Sequence, residues 1–254
     1  MPEQILFLFG AAFVAGLVDA MGGGGGLIQV PALFSALPQS APATLFGTNK
    51  LASIWGTGAA ALNYARRVRI EWNAVLPAAL AAFVFAFCGA YTVTRVPPDL
   101  LRKALPLLLL ALLVYTLRAR NLGLHHVPLH RDGRERLLAV LVGAGIGFYD
   151  GFFGPGTGSF LIFLFVRFFG YDFLGASAAA KVVNVACNLA ALLWFGYSGH
   201  VLWLAALVMA VANVGGSLAG SRLALKHGSK LVRKVFLVAV GLLIVKTAYD
   251  AFLR

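Results

Sequence analysis

Charge is scarce in this chain. Asp, Glu, Lys and Arg together account for 12% of its 254 residues, and only nine of them are acidic. A soluble domain of this length carries about a quarter charged residues. With 60% of residues apolar and a mean hydropathy of +0.86, there is more apolar surface than one water-facing core can bury. Cysteine is scarce too. Cys88 and Cys187 both fall in apolar runs, where a thiol behaves as a small hydrophobe, so no structural disulfide is expected. The first residues lack a basic n-region, and the apolar run continues into a glycine cluster, so no cleavable signal is expected. The net charge of +12 invites a nucleic-acid partner. Its bases cluster in short loops between apolar runs, however, as in a membrane protein anchored on its cytoplasmic side. No nucleic acid is expected. Residues 154–159 look like a fragment of a phosphate loop, but no Gly-Lys-Ser/Thr follows. No nucleotide, cofactor or metal is expected.

Apolar runs are what the chain has. Residues 44–65, 72–94, 103–117, 176–197, 201–223 and 232–252 approach or reach the roughly 20 residues that a bilayer-spanning helix takes. They are rich in Leu, Ala and Phe without dyad alternation, which excludes a β-barrel. The fold class is therefore an all-α integral membrane protein, with the lipid bilayer as its first partner.

Shifted by 131 residues, the chain aligns with itself. Asp150 lies 131 residues after Asp19, and Lys181 the same distance after Lys50. The ungapped shift also superposes Gly16 on Gly147, Gly23 on Gly154, Gly25 on Gly156, Trp72 on Trp203 and Gly89 on Gly220, and Arg102-Lys103 on Arg233-Lys234. Rare charged residues inside apolar runs do not coincide this way by chance. Each half reads as a broken glycine-rich segment, 5–37 or 137–169, followed by three spans. The first repeat is 1–118 and the second 137–254. The linker at 119–136 contains His125, His126 and His130, which read as solvated side chains beside arginines and not as a metal site.

Loop charge orients the halves. If each broken segment crosses the bilayer once, nine Lys and Arg fall on either side. If each goes in and returns, fourteen share one side against four. The positive-inside rule selects the second arrangement, two inverted-topology repeats with both termini outside the cytoplasm.

The broken segments carry the chemistry. Gly22, Gly23, Gly24, Gly25 and Gly26 follow Asp19, and each glycine costs a helix about 1 kcal/mol relative to alanine. The second copy places Gly154, Pro155, Gly156 and Thr157 after Asp150. Non-helical backbone at membrane depth survives only where protein or a water-filled cavity covers it. The arm after each break is expected to begin with free N–H groups at a positive dipole end, which suits an anion. Close packing through small residues is the structural alternative. Lys50 and Lys181 start the following spans, either lining a cavity or snorkelling to the interface. Thr48, Asn49, Asn184 and Asn188 would add hydrogen bonds, the last two one turn apart on one helix face. This set suits a small oxyanion. Asp19 and Asp150 could cap a half-helix, pair with lysine or hold an exchangeable proton.

The G-x-x-D motif before a glycine-rich break, repeated in the second half, resembles the sulfite exporter TauE/SafE family, also called the toluene sulfonate uptake permease family. Gly47-Thr48-Asn49-Lys50 and the Lys181-x-x-Asn184 segment strengthen the likeness, which runs from about Ile5 to Phe252. The resemblance implies a multi-pass permease of the cytoplasmic (inner) membrane for sulfur-containing or organic anions. It marks Asp19, Gly22 to Gly26, Asn49, Lys50, Asp150, Gly154, Gly156, Lys181 and Asn184 as site positions. Five consecutive glycines exceed the family's usual run, and Ala178-Ala179-Ala180-Lys181 lacks the polar neighbours of the first copy. The two half-sites are expected to contribute unequally. The expected protein is not an enzyme but a secondary transporter working by alternating access on a small anionic substrate, with a homodimer as an allowed assembly. Two alternatives are a non-transporting membrane accessory protein and an intramembrane aspartyl protease, the latter lacking a Gly-x-Gly-Asp motif.

Overall fold

A computed structural model describes residues 2–97, 101 and 133–252. The expected span at 103–117, and the linker as far as residue 132 with its three histidines, lie outside the described residues. The described residues form eight α-helices and no strand. These are α1 (Pro2–Gly22), α2 (Gly26–Ala36), α3 (Pro42–Ala65), α4 (Trp72–Val93), α5 (Gly133–Phe152), α6 (Thr157–Phe169), α7 (Phe173–Tyr197) and α8 (Trp203–Phe252). This is an all-α integral membrane protein. Among the described residues, four helices are long and apolar enough to cross a bilayer, namely α1, α4, α7 and the Trp203–Val232 stretch of α8. Their outward faces carry large apolar side chains, with Leu6, Leu204 and Val211 at least 70% exposed. In water such faces would aggregate; against acyl chains they are the solvated surface.

α3 and α5 match these spans in length but not in apolarity, for visible reasons. α3 turns Thr48, Asn49, Lys50 and Thr57 inward, where all four are buried. α5 opens on Arg134-Glu135-Arg136 and ends near Asp150. Residues 133–136, expected in the linker, already belong to α5, with Glu135 in its first turn complementing the helix dipole. The boundary expected between residues 223 and 232 is a break inside α8 at Gly228, with φ 68° and ψ −165°. α7 is capped at its start by Asp172, whose carboxylate accepts from the Gly175 amide at 3.2 Å.

Small residues set the helix spacing. β-carbons added at Gly143, Gly147 and Gly151 on α5 would collide with the backbone carbonyls of Ala78, Ala82 and Ala86 on α4. The two helices therefore lie backbone to backbone, as small residues allow in membranes, where apolar burial offers no net drive. The pairing of α1 with α8 repeats this with the halves exchanged. Gly147 on Ala82 corresponds to Gly16 on Asn213, and Gly89 on the Phe148 carbonyl corresponds to Gly220 on the Leu17 carbonyl. In each case both residues shift by 131, one forward and one back. A tandem array would shift both forward; an exchange is the mark of a two-fold relation. Both cysteines are free, Cys88 exposed and Cys187 buried.

Candidate functional site

The first break spans Gly23 to Gly25. Gly23 ends α1 at φ 77°, a left-handed conformation that side chains disfavour. A β-carbon there would also strike the Gly158 backbone. Beyond it the chain turns back on α1. The Gly25 amide donates to Asp19 Oδ1 at 3.3 Å, and Gln29 on α2 reaches the same Asn213 side chain that Ala12 on α1 does. α2 therefore returns alongside α1. The second break carries positive φ at Gly154 and Gly156, and Tyr149 Oη donates back to the Pro155 carbonyl at 2.5 Å.

The breaks are bonded to each other. The Ser159 amide donates to the Gly23 carbonyl at 3.0 Å, and its hydroxyl to the Gly22 carbonyl at 2.8 Å. The expectation of free N–H groups after each break is corrected here. Several helix-start amides are already engaged, those of Leu27 and Ile28 by the Gly24 and Gly25 carbonyls and that of Thr157 by the Gly154 carbonyl. The Thr157 hydroxyl also donates to the Gly154 carbonyl, at 2.8 Å. Short turns use these groups because an unpaired N–H buried at membrane depth costs several kcal/mol.

Both lysines are buried, Lys50 at 2% and Lys181 at 0% exposure, so neither snorkels. Each is paired with the aspartate of the other half. Lys50 Nζ donates to Asp150 Oδ2, and Lys181 Nζ donates to Asp19 Oδ2 at 2.6 Å. The partners lie 100 and 162 residues apart in the chain. Of the three roles open to the aspartates, lysine pairing is realised in both copies. Asp19 also holds its own break through Gly25. Taken together the four groups are neutral, so each ammonium brought to this depth has its counter-charge beside it.

Between the pairs lies a small polar cavity. The two breaks line it with Gly23, Gly25, Gly26, Gly154, Gly156, Thr157 and Gly158. α3 supplies Asn49, Lys50, Ser53 and Thr57, and α7 supplies Asn184 and Asn188, with Asp19, Gln29, Asp150 and Asn213 completing the wall. Asn188 donates to Asn184 at 3.0 Å, as the one-turn spacing predicts. Its volume of about 20 Å³ admits one water and no oxyanion. Two carboxamides on this wall have a buried atom without a hydrogen-bond partner, Gln29 Nε2 and Asn49 Oδ1. Gln29 Oε1 accepts from Asn213 at 2.9 Å, which fixes its free end as a donor.

Four expected site residues stand outside this wall. Gly22 is the last residue of α1, and Gly24 holds the turn through its carbonyl. Thr48 donates to the Thr44 carbonyl and accepts from the Leu202 amide, tying α3 to the start of α8. Lys181 lies behind Asp19. Sequence reasoning misses five residues of the wall: Gln29, Ser53, Thr57, Gly158 and Asn213. The repeat shift does reach Ser53 and Thr57, since they are the register mates of Asn184 and Asn188. It does not reach Gln29 or Asn213, whose mates are Phe160 and Ala82.

The family model for the sulfite exporter TauE/SafE matches residues 8–247, nearly the whole chain. The chain belongs to the TauE/SafE family. Among similar proteins, the "Probable membrane transporter protein ORF9" of Sinorhizobium sp is 38% identical over 247 residues, covering 97% of this chain and 93% of that one. The "Probable membrane transporter protein YfcA" of Escherichia coli K12 is 36% identical over 254 residues, covering 98% and 91%. A "Probable membrane transporter protein" of Haemophilus influenzae is 33% identical over 253 residues, covering 98% and 96%. No solved structure matches this chain. With the helices in hand, the family assignment makes this TauE/SafE protein a membrane transporter. Both breaks and both ion pairs fall inside the matched region.

Proposed function

We propose that this TauE/SafE chain is a multi-pass permease of the cytoplasmic membrane for small sulfur-containing or organic anions of the sulfite and sulfonate type. It works by alternating access around the central cavity. One observation carries the reading: a polar cavity between two crossed lysine–aspartate pairs, with two buried carboxamides that each leave one atom unpaired. Buried amide atoms seldom go unpaired, and the free Gln29 N–H on a wall that Lys50 also lines suits an oxyanion. The two repeats, 1–118 and 137–254, are of inverted topology. The returning α2 and the loop-charge count support the inversion, and the exchanged contacts support a two-fold relation between the halves. Closed down to one water, the cavity is too small for the anion, and admitting it would draw the two breaks away from each other.

A thermal-shift screen of the purified protein against sulfite, methanesulfonate, sulfate and acetate tests the reading. A ligand at a hundred times its Kd stabilises the folded state by about 2.7 kcal/mol. One of the sulfur oxyanions should raise the melting temperature above that in chloride of equal ionic strength. Equal melting in all of them, together with no anion flux in proteoliposomes, would overturn the proposal.

A further inference from the structure

The crossed ion pairs raise a difficulty for an anion site. Each ammonium is already matched by a carboxylate, so the cavity wall as a whole offers an arriving anion no net positive charge. Binding a monoanion there leaves a buried excess of one negative charge unless something compensates it. The least disruptive compensation is a proton on one aspartate, which leaves its lysine's charge to balance the anion.

The two aspartates are not equivalent candidates. The Asp150 side chain is 2% exposed against Lys50, whereas that of Asp19 is 16% exposed against a fully buried Lys181. A water-sized probe thus reaches Asp19 far more readily. Like Asp150, Asp19 joins the two halves, but it also holds its own break, with Oδ2 on Lys181 of α7 and Oδ1 on the Gly25 amide at the start of α2. Loss of its charge therefore weakens two bonds at once, one to the other half and one to its own break.

Resting on the permease reading above, we propose that Asp19 is the proton-coupling residue: it takes up one proton as one anion binds, while Asp150 stays ionised on Lys50. The balance is simple. One proton and one monoanion enter together, Asp19 becomes neutral, the charge of Lys181 behind it is balanced by the anion in the cavity, and the net charge of the site is unchanged. Protonated Asp19 also loosens its hold on Gly25, so loading the site releases the turn between α1 and α2. The titratable groups facing Asp19 are Lys181 from α7 and Tyr64 from α3, whose hydroxyl donates to the Ala20 carbonyl at 2.7 Å. Lys50 and Asp150 face it across the cavity. The elements α2, α6 and α8 present Gln29, Ser159, Asn213 and Ser217, none of which titrates.

Methanesulfonate is a suitable probe because, as the anion of a strong acid, it carries no proton of its own near neutrality. Its binding to the purified protein is measured in weak buffer with a pH indicator, and again by titration at several pH values. The wild type should take up about one proton per anion bound, and over the pH range where it does so affinity should rise about tenfold for each unit the pH falls. Asp19→Asn, which mimics the protonated state, should bind at least as tightly, take up no proton and lose the pH dependence. Asp150→Asn should retain both proton uptake and pH dependence. Asp19→Glu should restore proton uptake, which separates a proton-carrying role from a purely structural one. Proton uptake that survives in Asp19→Asn, or vanishes in Asp150→Asn but not in Asp19→Asn, overturns the assignment while leaving the permease reading standing. A wild type that neither binds nor moves methanesulfonate or sulfite overturns the permease reading, and the assignment with it.

Discussion

Replacing Lys50 by methionine removes an ammonium but keeps most of the side chain's length and apolar bulk. It leaves the Asp150 carboxylate, 2% exposed, without a counter-charge. Breaking a buried ion pair by removing one partner costs about 3–5 kcal/mol, whereas replacing both partners by apolar residues of similar volume is close to neutral. For a chain of this size 1 kcal/mol moves the melting temperature by about 2–4 °C, so Lys50→Met should melt roughly 6–20 °C below the wild type. Adding Asp150→Leu should recover most of that loss. The two free cysteines suggest the assay. In a Cys88→Ala background, the buried Cys187 becomes reactive toward a fluorogenic maleimide only as the bundle opens, so its labelling reports unfolding in detergent. If the double substitution melts no higher than the single one, Lys50 and Asp150 are not energetically a pair.

Further outcomes follow from the packing and the cavity wall. Gly151→Leu, aimed at the Ala86 carbonyl, should destabilise by more than the 1–3 kcal/mol typical of overpacking. Gly145→Leu on the same helix meets open space and should stay within about 0.5 kcal/mol. The same Cys187 labelling distinguishes them. Gln29→Leu removes the free donor and should weaken anion binding about tenfold, the equivalent of one hydrogen bond to a charge. Asn213→Ala, which frees the Gln29 carboxamide to rotate, should weaken binding less, and isothermal titration would rank the two. Gly23→Ala strains a positive φ and collides with Gly158, and should lower the yield of folded protein on size-exclusion chromatography.

Most of the helical layout was legible in the sequence because its determinants are local: apolar length, glycine breaks and charged loop ends. The repeat was legible through its rarest residues, Asp19 with Asp150 and Lys50 with Lys181. The pairing among those four was not. Alignment sets aspartate on aspartate and lysine on lysine, whereas the fold brings each lysine to the opposite aspartate, and only the exchange of helices between halves decides that. Ser53 and Thr57 were within reach of the same shift but are too common to draw notice without their asparagine mates. Gln29 and Asn213 break the repeat, so no internal comparison could find them. Thr48 has the composition of a site residue and the job of a helix tie, a distinction made only by its partners on α3 and at Leu202.

The exchange of partners between halves has a consequence for how the protein is made. While the first repeat stands alone in the membrane, Asp19 and Lys50 await partners that have not yet been synthesised. Each is expensive to leave exposed at that depth, so the nascent half must shelter them in water, in the insertion machinery or against each other. Arrival of α5 and α7 of the second repeat gives all four charges their partners. The same geometry would let two copies of a single ancestral half, related by a two-fold axis, satisfy each other's charges. The gene would then have joined an arrangement that a pair of separate chains already possessed.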